Sequence, residues 1–256
     1  MEKRKNIDQL IASLASGTKL QRSNVAYQLY WIFRNGESAK VDKQRAMKYL
    51  RMAADNGSVR ALYYLGWHYD TGTFVRKNIS KAIQWYRMAA DKGDNWAQVN
   101  LGEIYLDGGR GVQKDYAQAA RLFRKAMRKK DVFAFFNLGL CYDFGKGVRK
   151  SDVLACKYYA KAAERGHLAA MCNLGVILVD YENSQKTGAM LIRRAAMRGD
   201  EIAQFNLGKW YENGECGLRR NRCLALKWLS KSAAQGYKKA ANALQRLHSK
   251  MPRIRC

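Results

Sequence analysis

The 256-residue sequence has no long apolar run, only one proline, and 21 acidic residues against 47 basic ones. No stretch approaches the ~18 consecutive apolar residues from which a membrane-spanning helix is recognised. The N-terminal MEKRKNIDQL is basic, but the apolar core that a secretory signal requires does not follow it. We therefore predict no transmembrane segment and a cytoplasmic location.

Residues that could hold a metal or pair as disulfides show no recognisable spacing. The six cysteines form no CxxC pair and do not recur in phase with one another, and the three histidines are scattered. An even number of cysteines would permit disulfides, but this irregular spacing favours free thiols in a reducing compartment. We predict no metal site and no cofactor. The cysteines are Cys141, Cys156, Cys172, Cys216, Cys223 and Cys256.

Motifs of the common enzyme classes are also missing. The chain has no phosphate-binding loop, no dinucleotide fingerprint and no paired carboxylates. These patterns would indicate phosphoryl transfer, redox chemistry and acid–base chemistry, respectively. His68, His167 and His248 share no metal-ligand spacing, and we expect His68 to be a surface polar group. We predict a protein that is not an enzyme.

What the sequence does contain is a repeat of Ala-x-x-x-Leu-Gly-x-x-Tyr. Clear copies are ALYYLGWHY, AQVNLGEIY, AFFNLGLCY and AQFNLGKWY, and weaker copies begin at Val25 and Ala170. The six copies start 36, 36, 37, 36 and 33 residues apart. Self-similarity at such a period indicates stacked supersecondary units.

Each copy has a second half that also reads as a helix. Examples are AIQWYRMAADKG, ending at Gly93, and ALKWLSKSAAQG, ending at Gly236, where a glycine suits a left-handed helix C-cap. The third copy ends at Lys130 without that glycine. The repeated glycine inside the first helix, as at Gly66, costs about 1 kcal/mol in helix propensity and so suggests close approach of the second helix. Each repeat is predicted to be an αα-hairpin.

The two half-motifs, joined by glycine loops such as DFGKGVRKS, resemble the Sel-one-like repeat, a relative of the tetratricopeptide repeat. The resemblance implies an all-α fold: a right-handed α-solenoid of about six αα-hairpin repeats with N- and C-terminal capping helices. It also implies a bacterial adaptor or scaffold that holds other proteins, for instance an effector, a toxin, or a component of a secretion or regulatory assembly. The predicted segments are a capping helix in 1–23, repeats at 24–58, 59–94, 95–131, 132–167, 168–200 and 201–237, and a capping helix with a basic tail in 238–256.

In a tetratricopeptide-like solenoid the first helices line the concave face, and several of their positions carry aromatic residues. Tyr27 with Trp31, and Tyr63 with Trp67, are spaced i, i+4 and so share a helix face. We predict a partner-binding groove with the aromatic rings as anchors and charged residues setting the register. The alternative is that some of these rings pack between repeats. The predicted groove residues are Tyr27, Trp31, Arg34, Arg60, Tyr63, Trp67, Asp70, Trp96, Phe136, Phe205 and Lys209.

The net charge is +26, and the basic excess lies in the second helices, loops and termini, while the first helices are slightly acidic. The second helices carry basic residues once per repeat. By the same analogy they form the convex face, where a basic ridge could bind nucleic acid, another polyanion, an acidic protein or a membrane surface. The simpler alternative is a solvated face that serves solubility. The predicted ridge residues are Lys48, Arg51, Arg87, Arg121, Arg124, Lys157, Lys161, Arg193, Arg194, Lys227 and Lys231.

Overall fold

A computed structural model describes residues 2–36, 41–108 and 111–249 of the chain. In these ranges the chain forms fourteen α-helices, a 3-10 helix at Glu182–Ser184 and no strand. The basic tail beyond Ser249 lies outside the described residues. The helices are α1 Glu2–Ser16, α2 Lys19–Asn35, α3 Lys43–Asp55, α4 Val59–Thr71, α5 Ile79–Asp91, α6 Asn95–Asp107, α7 Tyr116–Met127, α8 Val132–Phe144, α9 Asp152–Ala163, α10 Leu168–Val179, α11 Gln185–Met197, α12 Glu201–Asn213, α13 Arg222–Ala234 and α14 Lys238–Ser249.

The helices form two compact units, Met1–Asp131 with α1–α7 and Val132–Cys256 with α8–α14. Within each unit, every helix packs against the next one in the chain, and the two helices of each predicted repeat make the most extensive contacts. The all-α repeat architecture is confirmed. Over the described ranges, no helix combines the length and apolar character needed to cross a membrane.

Polar residues before the helices fix where they start. Ser58, Asp94 and Asp200 each accept a hydrogen bond from the backbone N–H three residues later, as helix N-caps do. At Thr18 the cap is reciprocal, since its backbone N–H also donates to the Gln21 side chain over 2.8 Å. This capping box starts α2 at Lys19, so the first helix of the first repeat begins before the predicted repeat start at residue 24.

Where the first helix of a hairpin has the repeated glycine, a large side chain of the second helix packs directly against it. A Cβ atom placed on Gly66 would lie 2.5 Å from the Tyr86 ring, and one on Gly102 would lie 2.6 Å from Phe123. Both rings are fully buried. The close approach predicted from the repeated glycine is therefore present, and the ring fills the space that a Cβ would need.

In the first repeat the large residue lies on the first helix and the smaller residue lies on the second helix. Tyr30 stands where the other repeats have the glycine, and Leu50 stands where Tyr86 stands in the second repeat. Tyr30 and Leu50 are both fully buried in the core of the first unit. A large residue on the first helix thus accompanies a smaller one on the second, which conserves the volume of the interface.

Lys130 has the left-handed backbone conformation that glycine adopts at the same point of other repeats. Its φ is 56°, whereas Gly93, one repeat earlier, has a φ of 84°. Because this conformation is unfavourable by roughly 1–2 kcal/mol for a residue with a Cβ atom, we expect Lys130→Gly to raise the free energy of unfolding by about 1 kcal/mol. Chemical denaturation measures this, with Lys130→Ala as the control that removes the charge but keeps the penalty. Equal stabilisation by both substitutions would assign the gain to charge.

The expectation of free thiols is correct for Cys156, Cys172 and Cys216. It is wrong for Cys223, which is disulfide-bonded. Cys141 is buried. Cys256 lies outside the described residues.

Candidate aromatic partner site in the first unit

The first helices of three successive repeats bring seven aromatic side chains together in the first unit. Trp31 on α2 contacts Tyr64 on α4 with ring centroids 5.4 Å apart, and Tyr64 contacts its neighbour Tyr63 at 5.1 Å. Tyr63 in turn contacts Trp96 on α6 at 5.5 Å. We call this group the aromatic cluster; its members are Tyr27, Tyr30, Trp31, Tyr63, Tyr64, Trp67 and Trp96.

The cluster has a buried polar floor made by Tyr30 and His68. The Nδ1 atom of His68 lies 2.7 Å from the Thr73 carbonyl oxygen, and the Nε2 atom lies 3.0 Å from the Tyr30 hydroxyl. Because a carbonyl oxygen only accepts hydrogen bonds, Nδ1 carries a hydrogen. Burial lowers the pKa of the imidazole to about 4, so at neutral pH Nε2 has no hydrogen and accepts from the Tyr30 hydroxyl. The imidazole thus links α2, α4 and the loop after α4.

His68 is fully buried, which corrects the expectation of a surface polar group. Burial lowers the pKa of the imidazole to about 4, the Thr73 hydrogen bond opposes this shift, and the positive charge of Arg34 adds to it. Phe74 stacks on the ring with centroids 5.1 Å apart. This histidine is a structural element of the cluster, with no access to solvent.

Above this floor the rings are partly exposed. Trp96 is 40 % exposed, while Tyr27, Trp31, Tyr63, Tyr64 and Trp67 are half-buried. Burial raises the pKa of Tyr27 and of Tyr63, whose hydroxyls lie in a partly desolvated setting. These rings pack between repeats, as the alternative predicted, and still present surface, so the partner-binding groove stays a prediction. The predicted groove does not include Tyr30 and Tyr64, although each directly neighbours a predicted ring in the chain.

Two predicted groove arginines lie on the faces of the indole rings. The guanidinium carbon of Arg34 is 4.5 Å from the ring centroid of Trp31 and 5.6 Å from that of Trp67. The guanidinium carbon of Arg60 is 4.4 Å from the centroid of Trp96. These distances are those of cation–π contacts, so both arginines are members of the same surface as the rings.

Asp70, the acidic residue predicted for the groove, lies beside a separate cleft. Its Oδ1 atom is 3.8 Å from Nζ of Lys77. Both residues line a cleft of about 330 Å³ together with Asn100, Glu103 and Asp107. The surface that follows the cluster toward the C-terminal ends of α4 and α6 is thus mainly acidic.

Each predicted groove residue of the second unit has a close partner within that unit. Phe136 stacks on His167 with centroids 4.3 Å apart, and Phe205 packs against Tyr237 at 5.3 Å. Lys209 forms an ion pair of 2.6 Å with Glu212, one turn further along α12. These contacts show no assembly comparable to the aromatic cluster, so their place in a partner site stays a prediction.

The predicted basic ridge is mostly exposed, and some of its members form hydrogen bonds within the first unit. All of the ridge residues except the half-buried Lys161 are exposed. Arg51 donates a hydrogen bond to the Tyr69 hydroxyl over 3.4 Å, and Arg87 donates to the Tyr105 hydroxyl over 2.8 Å. These two arginines therefore join a second helix to the first helix of the next repeat.

Among the described residues, no group of His, Cys, Asp and Glu side chains is arranged to hold a metal ion.

The family model of the Sel1 repeat matches residues 24–58, 59–94, 97–131, 133–167 and 202–237. It does not cover the predicted fifth repeat, 168–200, yet α10 and α11 form a packed hairpin there. In that hairpin a Cβ on Gly188 would lie 2.6 Å from the carbonyl oxygen of Gly175. This hairpin, whose sequence fits the repeat pattern less well, therefore has a glycine on both α10 and α11 where the two helices touch.

Several solved structures are similar to this chain. One is c5321, a protective antigen of uropathogenic Escherichia coli strains with an SLR fold, at 30% identity and a TM-score of 0.80 over 95% of this chain and 52% of that one. The chain thus spans about half the length of c5321. A Sel1 repeat protein from Oxalobacter formigenes is 25% identical, with a TM-score of 0.72 over 90% of this chain and 99% of that one.

A more distant similarity is to the immunity protein Pa5087 from Pseudomonas aeruginosa. It is 25% identical, with a TM-score of 0.51 over 72% of this chain and 68% of that one. No curated protein sequence matches the chain significantly.

Proposed function

Because the chain belongs to the Sel1 repeat family, whose members generally serve as non-catalytic protein-interaction scaffolds, we propose that it binds a protein partner through the aromatic cluster of the first unit. The observation that carries this proposal is the cluster itself, in which partly exposed rings from α2, α4 and α6 form one surface. The proposed partner is an effector, a toxin, or a component of a secretion or regulatory assembly, and the proposed site of action is the cytoplasm.

The composition of this surface suits protein recognition. Tryptophan, tyrosine and arginine dominate the energetics of protein interfaces, because they bury much apolar area and also make polar contacts. The rings already contact one another, so little side-chain freedom remains to be lost on binding. Pa5087, whose structure is similar to this chain, is described as an immunity protein, and an effector or toxin partner for this chain extends that description by analogy.

We expect Trp96→Ala to weaken capture of the partner about tenfold or more, since Trp96 is the most exposed ring of the cluster. The protein would be immobilised and exposed to nuclease-treated lysate of its native cells, and the amount of captured partner measured against the amount of immobilised protein. Phe144→Ala is the matched control, because Phe144 is 64% exposed but lies in the second unit. Circular dichroism of all variants checks that the helices are retained. Equal capture by the Trp96 variant and wild type would refute the proposal.

The same experiment tests the alternative, binding of nucleic acid or another polyanion by the basic ridge. Such binding weakens steeply with salt, because each neutralised phosphate releases counterions. An untreated lysate is compared with the nuclease-treated one, and both are tested at about 0.5 M salt. The function belongs to the ridge if the captured material is lost under either condition. The same loss is then expected when Arg121, Arg124, Lys157 and Lys161 are replaced by glutamate.

A further inference from the structure

We propose that the aromatic cluster recognises an acidic segment of its partner, with carboxylates paired to Arg34 and Arg60 and neighbouring apolar side chains packed on the rings. This inference rests on the proposed function and names the chemistry of the partner. It follows from how the two guanidinium groups are held, from what lies around them, and from the arrangement of the rings.

Ring contacts position both guanidinium groups, and their N–H donors remain available for a ligand. Arg34 lies near four rings, with its guanidinium carbon 4.5 Å from Trp31, 5.6 Å from Trp67 and 6.0 Å from both Tyr30 and Tyr64. A guanidinium that stacks on a ring uses its face for that contact, and its N–H groups point outward at the edge. Among the described residues, neither Arg34 nor Arg60 makes an ion pair.

An edge of parallel N–H groups matches the two oxygens of a carboxylate. A carboxylate can accept two hydrogen bonds from one guanidinium, and such bidentate pairs are shorter and stronger than single neutral hydrogen bonds. The stacking also reduces the rotamer freedom that each arginine would otherwise lose on binding. The two arginines are therefore suited to bind acidic side chains on a partner.

The two arginines act on one region of the surface. Arg34 lies on Trp31 and Arg60 lies on Trp96. Tyr64 and Tyr63 join these two indole rings through centroid distances of 5.4, 5.1 and 5.5 Å. A ligand that covers this chain of rings would meet both charges, which favours a partner segment with more than one acidic side chain.

The arrangement of the rings favours a peptide over a nucleic acid as the occupant. Single-stranded nucleic acids stack their bases on exposed aromatic faces along a basic groove. Here the contacts of Trp31 with Tyr27 and with Tyr64 are edge-to-face, at interplanar angles of 89° and 86°. The indole faces of Trp31 and Trp96 already carry arginines.

The test uses a fluorescein-labelled synthetic peptide in which aspartate and glutamate alternate with leucine and phenylalanine. Fluorescence anisotropy measures its binding to the full chain. We expect binding to weaken at least tenfold when the acids are replaced by their amides, and at least tenfold when the apolar residues are replaced by serine. A labelled single-stranded DNA oligonucleotide should bind more weakly than the acidic peptide. Failure of the wild-type chain to bind the acidic peptide at about 1 mM, or tighter binding of the DNA, overturns the inference.

The protein variants then locate the interaction. Arg34→Gln and Arg60→Gln together should weaken peptide binding at least tenfold, while Arg22→Gln, which removes an exposed charge from the same helix outside the cluster, should change it less than twofold. Equal losses for Arg22 and the cluster arginines would mean that the peptide senses only the net charge, which overturns the inference.

Comparison with the native partner separates this inference from the proposed function. If Trp96→Ala reduces capture of that partner but the double arginine variant does not, the protein-binding function stands and the acidic-segment inference fails. If neither change reduces capture, the proposed function fails as well.

Discussion

Replacing Gly66 with alanine should lower the free energy of unfolding by about 1 kcal/mol, although alanine is the better helix former. The added Cβ atom would lie 2.5 Å from the ring of Tyr86, which is fully buried. Overpacking of a well-packed core costs typically about 1–3 kcal/mol. The steric cost therefore exceeds the gain of roughly 1 kcal/mol in helix propensity. Denaturation by urea, followed by circular dichroism, measures the change.

A double-mutant cycle identifies the cause. Tyr86→Leu alone should also destabilise, because it leaves part of the ring's volume empty and removes the hydrogen bond that Asn100 donates to the Tyr86 hydroxyl over 3.0 Å. When the two changes are combined, the loss should be smaller than the sum of the single losses, since leucine leaves room for the methyl group. The first repeat already has a leucine, Leu50, at the position of Tyr86. Additive losses would show that the Gly66–Tyr86 contact is not the cause.

His68 should make the protein lose stability as the pH falls below neutrality. Burial lowers the pKa of the folded imidazole to about 4, against 6.5 for the ordinary side chain. The unfolded chain therefore binds the proton more readily than the folded one. The contribution of His68 to stability is present above pH 6.5, is lost as the pH falls, and levels off near the folded pKa. This linkage amounts to about 2 kcal/mol between pH 7 and pH 5.

The measurement is the free energy of unfolding as a function of pH for wild type and for His68→Gln. Glutamine does not titrate, so the difference between the two curves isolates the histidine even if the substitution lowers stability at every pH. Other groups, such as the partly buried His167, whose pKa is also lowered by burial, contribute equally to both curves. His248→Gln, at an exposed position of α14, is the control. Parallel curves for wild type and His68→Gln would show that protonation of His68 is not coupled to unfolding.

The repeat architecture was predictable because helical periodicity is a local property of the chain. The spacing of Ala61, Leu65 and Tyr69 places them on one helix face whatever surrounds the helix, and α4 confirms the helix at Val59–Thr71. The recurring glycine likewise predicted close contact between the two helices of a hairpin, because such a contact offsets the unfavourable helix propensity of glycine. The exchange of sizes at Tyr30 and Leu50 was not predictable from one helix, because it depends on two positions twenty residues apart.

The candidate site was predicted in part. The sequence placed Tyr27 and Trp31 on a shared face and did the same for Tyr63 and Trp67, and the structure joins these two pairs through Tyr64. The aligned positions Phe136 and Phe205 have the same place in their repeats and contact His167 and Tyr237, each of which directly precedes the next helix pair or the final helix. Repeat position alone therefore does not determine whether a ring becomes part of a larger surface.

By itself, the sequence determined the helices, their pairing into hairpins and the repeat family, because these follow from residue spacing and from local capping and packing rules. Only the tertiary structure decided that His68 is buried beneath Tyr30, and that Arg34 and Arg60 lie on indole faces. The physical reason is that periodicity fixes which residues share a face of one helix. How deeply a side chain is buried, and which ring meets which charge, depends on the neighbouring helices that cover that face.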